Sequence, residues 1–168
     1  EAIAEMGGIP VLLDIDGEKA VAGATEIRKR FKVQALGLQA DVTDAKAVVG
    51  ALAKTLDAFV RVDILINNAA NNPQVDGRTP PDDQWSRLEN FPREVWDQDI
   101  AVGLTGAFLC SKIIGSEMAT RGQGVILNIA SDLALIAPDQ RIYHQAELPE
   151  DLQPVKPVSY AVVKAGLL

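Results

Sequence analysis

The sequence predicts an α/β fold, a doubly wound parallel sheet that is incomplete, in one domain over residues 1–168. Three observations predict it. Short apolar runs alternate with longer amphipathic stretches, the spacing of βαβ units. Most of the apolar runs stop at an acid, an asparagine or a serine. Two long irregular segments each follow such a stop, and in open parallel sheets ligands bind outside the carboxyl ends of the strands.

The elements follow in order. EAIAEMGG at the amino end reads as the tail of a helix without a start methionine, so a preceding segment is expected. Ile9 to Ile15 is an apolar run ending at Asp14, as for a strand buried on both faces. Glu18 to Phe31 carries Ala20, Val21, Ala24 and Ile27 at helical spacing and closes on Arg28-Lys29-Arg30, which suits the helix dipole. Val33 to Leu38 reads as the second strand, stopping at Ala40-Asp41-Val42. Thr43 or Asp44 can cap a helix through Ala47, Val48, Ala51, Leu52 and Leu56. Val62 to Ile66 is the third strand and delivers Asn67-Asn68-Ala69-Ala70.

Asn71 to Asn90 is rich in Pro, Asn and Asp and lacks periodicity, which predicts a functional loop. A long helix is expected from near Pro92 to Arg121-Gly122, with Trp96, Ile100, Leu104 and Phe108 as its apolar face. Val125 to Ile129 forms a fourth strand that brings Ser131 to its end. Pro138 to Pro157, with four prolines and the only histidine, is irregular, and Ser159-Tyr160 opens a final helix. Asp14, Asp41, Asn67 and Ser131 thus all fall at strand ends, implying one cleft.

Composition excludes several classes. A formal net charge of −7 disfavours nucleic acid and anionic membrane, which require basic patches. The single cysteine, Cys110, cannot form an internal disulfide, and no Cys/His cluster offers a metal site. A cytosolic protein is expected. No contiguous apolar run reaches the roughly 18 residues that span a bilayer.

The segment Val62 to Ala70, VDILINNAA, resembles the "D-[IV]-L-[IV]-N-N-A-G" stretch of the short-chain dehydrogenases. Tyr160-Ala161-Val162-Val163-Lys164 resembles their YxxxK motif, and Ser131 stands where that family carries its catalytic serine. YxxxK alone is weak; the three in this order, each at its expected strand or helix, are specific. The resemblance implies a Rossmann-like fold and hydride exchange between a nicotinamide cofactor and an alcohol or carbonyl, and the polar, insertion-rich loops suit a hydroxylated or sugar-like substrate. It also implies a homodimer or homotetramer that packs its long helices.

The chemistry of the pair has its own argument. Residues four apart share a helix face, so Lys164 can approach the Tyr160 phenol or a neighbouring ribose. A free phenol titrates near pH ~10, and a nearby cation favours its phenolate, making Tyr160 usable as an acid/base. Ser131 would hydrogen-bond the substrate oxygen and stabilise its developing charge. Tyr143 competes for the tyrosine role, but four residues on it meets the carboxylate of Glu147 in place of a lysine. Pro138 to Pro157 then reads as an insertion over the substrate, with Arg141, Tyr143 and His144 as candidate contacts.

Asp14 can accept hydrogen bonds from the adenosine ribose and would repel a 2′-phosphate, which favours NAD over NADP. By resemblance, Asp41 and Val42 border the adenine, and Asn67, Ala69, Tyr160 and Lys164 lie along the cofactor. The sequence departs from the family at Gly103, in Val102-Gly103-Leu104-Thr105-Gly106, where an asparagine normally holds a water linked to the lysine. A backbone carbonyl or another water would have to substitute. Gly103 and Gly106 each cost a helix interior about 1 kcal/mol, which predicts a kink or a close backbone approach. The family's glycine-rich phosphate turn and its strand, central in the sheet between the strands ending at Asp14 and Asn67, are absent from these residues. Two other readings therefore stand beside the oxidoreductase: a catalytically weak NAD-binding regulatory protein, and a nucleotide-sugar epimerase or dehydratase.

Overall fold

A computed structural model describes residues 1–71 and 85–168 of the chain. The expected loop from Asn71 to Asn90 therefore falls largely outside the described residues. The chain divides into two units, residues 1–67 with 108–127 and residues 68–107 with 128–168.

In the first unit a short helix α1 (Ala2–Glu5) precedes strand β1 (Val11–Asp14), helix α2 (Gly17–Phe31) and strand β2 (Leu36–Gln39). β1 and β2 pair in parallel, with Val11 opposite Leu36 and Asp14 opposite Gln39. Asp16 caps α2 by accepting the Lys19 N–H, and Lys32 ends it in the left-handed conformation. α2 lies on the pair so closely that a β-carbon at Gly37 would overlap the Ala20 carbonyl, so β2 needs glycine there. Ala4, Ala24, Ile27 and Ala35 form the core beneath it.

Helix α3 (Ala45–Phe59) is capped by Asp44, which takes the Lys46 N–H, and strand β3 (Ile64–Asn67) follows. Helix α5 (Gly106–Arg121) and strand β4 (Val125–Asn128) complete the fold's first half. Cys110, Ile114 and Met118, four residues apart on α5, pack with Val48 of α3 and Leu65 of β3 into a second core. Arg121 secures the end of α5 by donating to the Val62 carbonyl and pairing with Glu117 at 2.7 Å.

β3 and β4 hydrogen-bond to one another, and among the described residues they share no sheet with β1 and β2. The expected single sheet is therefore two strand pairs. Ile64 and Ile66 of β3 and every residue of β4 are exposed.

The second unit holds helix α4 (Arg93–Ile100), a π-helical turn (Ala101–Thr105) that continues it into α5, and helix α6 (Val158–Gly166). The expected Trp96-Ile100-Leu104-Phe108 face is corrected at Phe108, while Trp96, Ile100 and Leu104 are half-buried. Phe108 is 61% exposed, whereas Asp99, Gly103, Gly106 and Cys110 are buried. Small residues let the helix approach its neighbours closely, so the inward stripe is the one with little side chain. The π-turn at Gly103 is the local irregularity its glycines predict. Three 3₁₀ turns (Asp132–Ala134, Gln140–Tyr143, Glu150–Leu152) lie between β4 and α6, the last two within the irregular segment from Pro138 to Pro157. Buried Gln153 organises that segment: its Oε1 accepts the Gln145 N–H at 2.8 Å, and its amide donates to the carbonyls of Gln145 and Leu148.

The continuous helix Arg93–Arg121 is, by length and mean hydropathy, apolar enough to cross a membrane. The absence of a contiguous apolar run of that length still holds, because the helix reaches its average with Thr105, Ser111 and Lys112 interspersed. A helix packed on a core passes the same test, and Cys110, Ile114 and Met118 serve that purpose here.

Candidate active site

The residues expected to meet an adenosine stand at the strand ends of the first unit. Asp14 closes β1 with an exposed carboxylate, one oxygen of which accepts the Asp16 N–H at 2.8 Å. Asp41, just past β2, accepts from both the hydroxyl (2.7 Å) and the N–H (2.8 Å) of Thr43. The Thr43 hydroxyl, then its backbone N–H, hold the Asp41 carboxyl below the usual carboxylate range. Val42 is half-buried and packs against the core of Val48, Leu65 and Cys110. Asn67, buried at the end of β3, donates its amide to the Ser111 hydroxyl on α5 at 3.0 Å.

The proposed reaction residues belong to the second unit, together with exposed Ala69. Ser131 follows β4 and caps the turn Asp132–Ala134, accepting the Leu133 N–H at 3.2 Å while its hydroxyl donates to Asp132 at 2.9 Å. α6 carries Tyr160 and Lys164 one turn apart. Lys164 is 7% exposed, and its ammonium donates to the Ile129 carbonyl at 2.6 Å. That contact ties α6 to the segment that presents Ser131, two residues beyond Ile129. The Lys164 nitrogen lies 5.8 Å from the centre of the Tyr160 ring.

A second cation is closer. The ammonium of Lys156 sits 3.9 Å from the same ring centre, four residues before Tyr160 as Lys164 is four after it. Lys156 is held by its backbone N–H, which donates to Gln140 at 2.8 Å, and it lines a cleft of about 330 Å³ with Arg87, Val158 and Ala161. Sequence reasoning missed this residue, which precedes α6 and so has no helical spacing to Tyr160 that could signal it. Arg141 is instead paired with Asp139 at 2.6 Å in solvent, and neither it, Tyr143 nor His144 lines that cleft.

Gly103 meets α6 directly. A β-carbon there would overlap Cγ1 of Val163, so the position normally held by asparagine is filled by its neighbour.

Comparison with known proteins agrees on the family. The family model described as "short chain dehydrogenase" matches residues 1–144, so Tyr160 and Lys164 lie beyond the matched span. The chain is 35% identical over 144 residues to the (2S)-[(R)-hydroxy(phenyl)methyl]succinyl-CoA dehydrogenase subunit BbsD of Thauera aromatica, covering 86% of this chain and 53% of that protein. It is 32% identical over 146 residues to an NAD-dependent glycerol dehydrogenase of Listeria innocua, covering 87% and 52%. Its fold matches a gluconate 5-dehydrogenase from Burkholderia cenocepacia in complex with NADP and tartrate, with a TM-score of 0.75 at 24% identity, over 98% of this chain and 53% of the other. The chain thus spans about half the length of the curated relatives it matches.

Proposed function

Since the chain belongs to the short-chain dehydrogenase family, we propose that the natural protein is an oxidoreductase exchanging a hydride between NAD(H) and a secondary alcohol or ketone. Tyr160 is the acid/base, Lys164 its cationic neighbour and ribose anchor, and Ser131 polarises the substrate oxygen. The observation that carries this reading is the buried Lys164, whose ammonium bonds the Ile129 carbonyl two residues before Ser131. One hydrogen bond thereby links the YxxxK helix to the serine segment.

Each unit carries groups suited to part of a nicotinamide dinucleotide. An ammonium has three N–H donors, and the Ile129 bond uses one, which leaves Lys164 able to donate to a ribose hydroxyl. Asp14 offers an exposed acceptor of the kind ribose hydroxyls need, and its charge opposes a 2′-phosphate. Asp41 and Val42 would border the adenine, with Asn67 and Ala69 along the cofactor. The similar proteins include both an NAD-dependent enzyme and an NADP complex, so the preference for NAD rests on Asp14. The nicotinamide ring, when bound, supplies or accepts the hydride.

The chain's own residues manage the proton. Tyr160 gives its phenolic proton to the substrate oxygen in reduction and takes it back in oxidation. Ser131 turns its hydroxyl from Asp132 toward that oxygen, where a donor stabilises negative charge as it develops. The Ile129 carbonyl holds the Lys164 ammonium directly. The substrate is a small hydroxylated alcohol or its ketone. Phe108, exposed on the long helix, fits the pairing of such helices in a homodimer or homotetramer. A cytosolic setting suits the buried thiol of Cys110, which burial keeps protonated.

The test is turnover of a panel of secondary alcohols and polyols by the natural full-length protein with NAD and NADP. NAD-linked oxidation supports the reading. Gly103 favours one rival, a catalytically weak NAD-binding regulatory protein; NADH binding without turnover across the panel would favour it.

A further inference from the structure

Charged side chains are almost never fully buried unless they are satisfied, and Asp99 on α4 is 4% exposed. Among the described residues no lysine or arginine pairs with it. Two neutral donors satisfy it instead, one on each oxygen. The Asn71 amide donates to Oδ1 at 2.8 Å, and the Ser159 hydroxyl donates to Oδ2. Ser159 is wholly buried and directly precedes Tyr160. The backbone start of α6 has no side-chain cap from Pro157, so this hydroxyl is the helix's polar fixing point in its first turn.

A second contact lies one turn further along both helices. Gly103 is four residues after Asp99, Val163 is four after Ser159, and the two touch without room for a β-carbon. Residues four apart share a helix face, so α4 with its π-turn meets α6 at two points on matching faces. The lower point sets how near the helices lie. The upper one, a hydrogen bond to a buried charge, is directional and sets the roll of α6, because any rotation that removes Ser159 strands a buried carboxylate. That roll decides where Tyr160 and Lys164 point.

We propose that Asp99 is a positioning residue for the Tyr160–Lys164 pair, acting through Ser159. The proposal rests on the reading of Tyr160 as the acid/base.

The experiment uses the natural full-length protein with NADH as the binding probe and the best alcohol of the panel as substrate. Asp99→Asn, Ser159→Ala and their combination are compared with Tyr160→Phe, and kcat is expressed per NADH-binding site. Each single variant should lose kcat by about tenfold or more, as small misplacements of reacting groups do, with the KM for NAD within about twofold of wild type. The double variant should be no worse than the poorer single, because both break one contact. A purely structural role would lower the number of binding sites and leave kcat per site unchanged, which overturns the proposal. So would failure of both single variants to give any NADH-binding protein. Wild-type kcat in Ser159→Ala and Asp99→Asn beside an inactive Tyr160→Phe overturns the positioning role alone. An active Tyr160→Phe overturns the reading beneath it.

Discussion

Gly103 on the long helix and Val163 on α6 pack so tightly that no side chain fits at residue 103. The position is occupied by valine methyls, not left open for a water. Restoring the family's asparagine should therefore damage the protein. Gly103→Asn should lower the unfolding free energy by about 1–3 kcal/mol through overpacking and reduce turnover. Gly103→Asn with Val163→Ala should recover most of the stability. Urea unfolding with parallel kinetics checks both.

Asp14 decides the cofactor in this account. Asp14→Asn removes the charge that opposes a 2′-phosphate and weakens a charge-assisted bond to ribose. kcat/KM with NAD should fall about tenfold or more, and the preference over NADP should narrow. Steady-state kinetics with the two cofactors measures it. An unchanged ratio would remove Asp14 from the site.

Much of the fold is legible in the sequence because each signal is local. Asp44 is a helix cap, as its position before an apolar-periodic run suggests, and the apolar runs of β1 to β4 stop at polar residues within a position or two of their observed ends. The inward face of the long helix was not legible. Hydrophobic periodicity selects large apolar residues such as Phe108, whereas the buried positions here include Gly103 and Gly106, which carry no such signal. Asp99 reads as a surface acid, since the donors that permit its burial, Asn71 and Ser159, lie far away in sequence. Of the candidate site, Tyr160 and Lys164 follow from helical spacing. Lys156 does not, because the turns from Pro138 to Pro157 bring it to the ring.

Asp41 makes stability depend on pH in acid. Its carboxyl is held below the ordinary value by Thr43, so its contribution is fully present above the unfolded carboxylate's range, near pH ~4. It is lost as pH falls through the lower folded value. Thr43→Val removes the first cause of that shift. The stability gap between wild type and Thr43→Val should be flat near neutrality and should shrink below pH ~4. Urea unfolding at a series of pH values reads it.

Val60 ends α3 at φ +71°, a conformation costly for a β-branched residue, and its side chain is 82% exposed. Val60→Gly relieves a cost of roughly 1–2 kcal/mol, partly offset by the freer unfolded chain. A net gain of about 1 kcal/mol and a higher Tm are expected. Calorimetry decides it.

The central claim is that Tyr160, not Tyr143, moves the proton. The most direct measurement is kcat of Tyr160→Phe and Tyr143→Phe in the natural full-length protein, with NADH binding measured alongside. Tyr160→Phe should bind NADH and lose activity by about 10²–10⁴-fold, the usual worth of a positioned acid/base, while Tyr143→Phe stays within a few-fold of wild type. Full activity in Tyr160→Phe, or the loss appearing in Tyr143→Phe instead, would contradict the account.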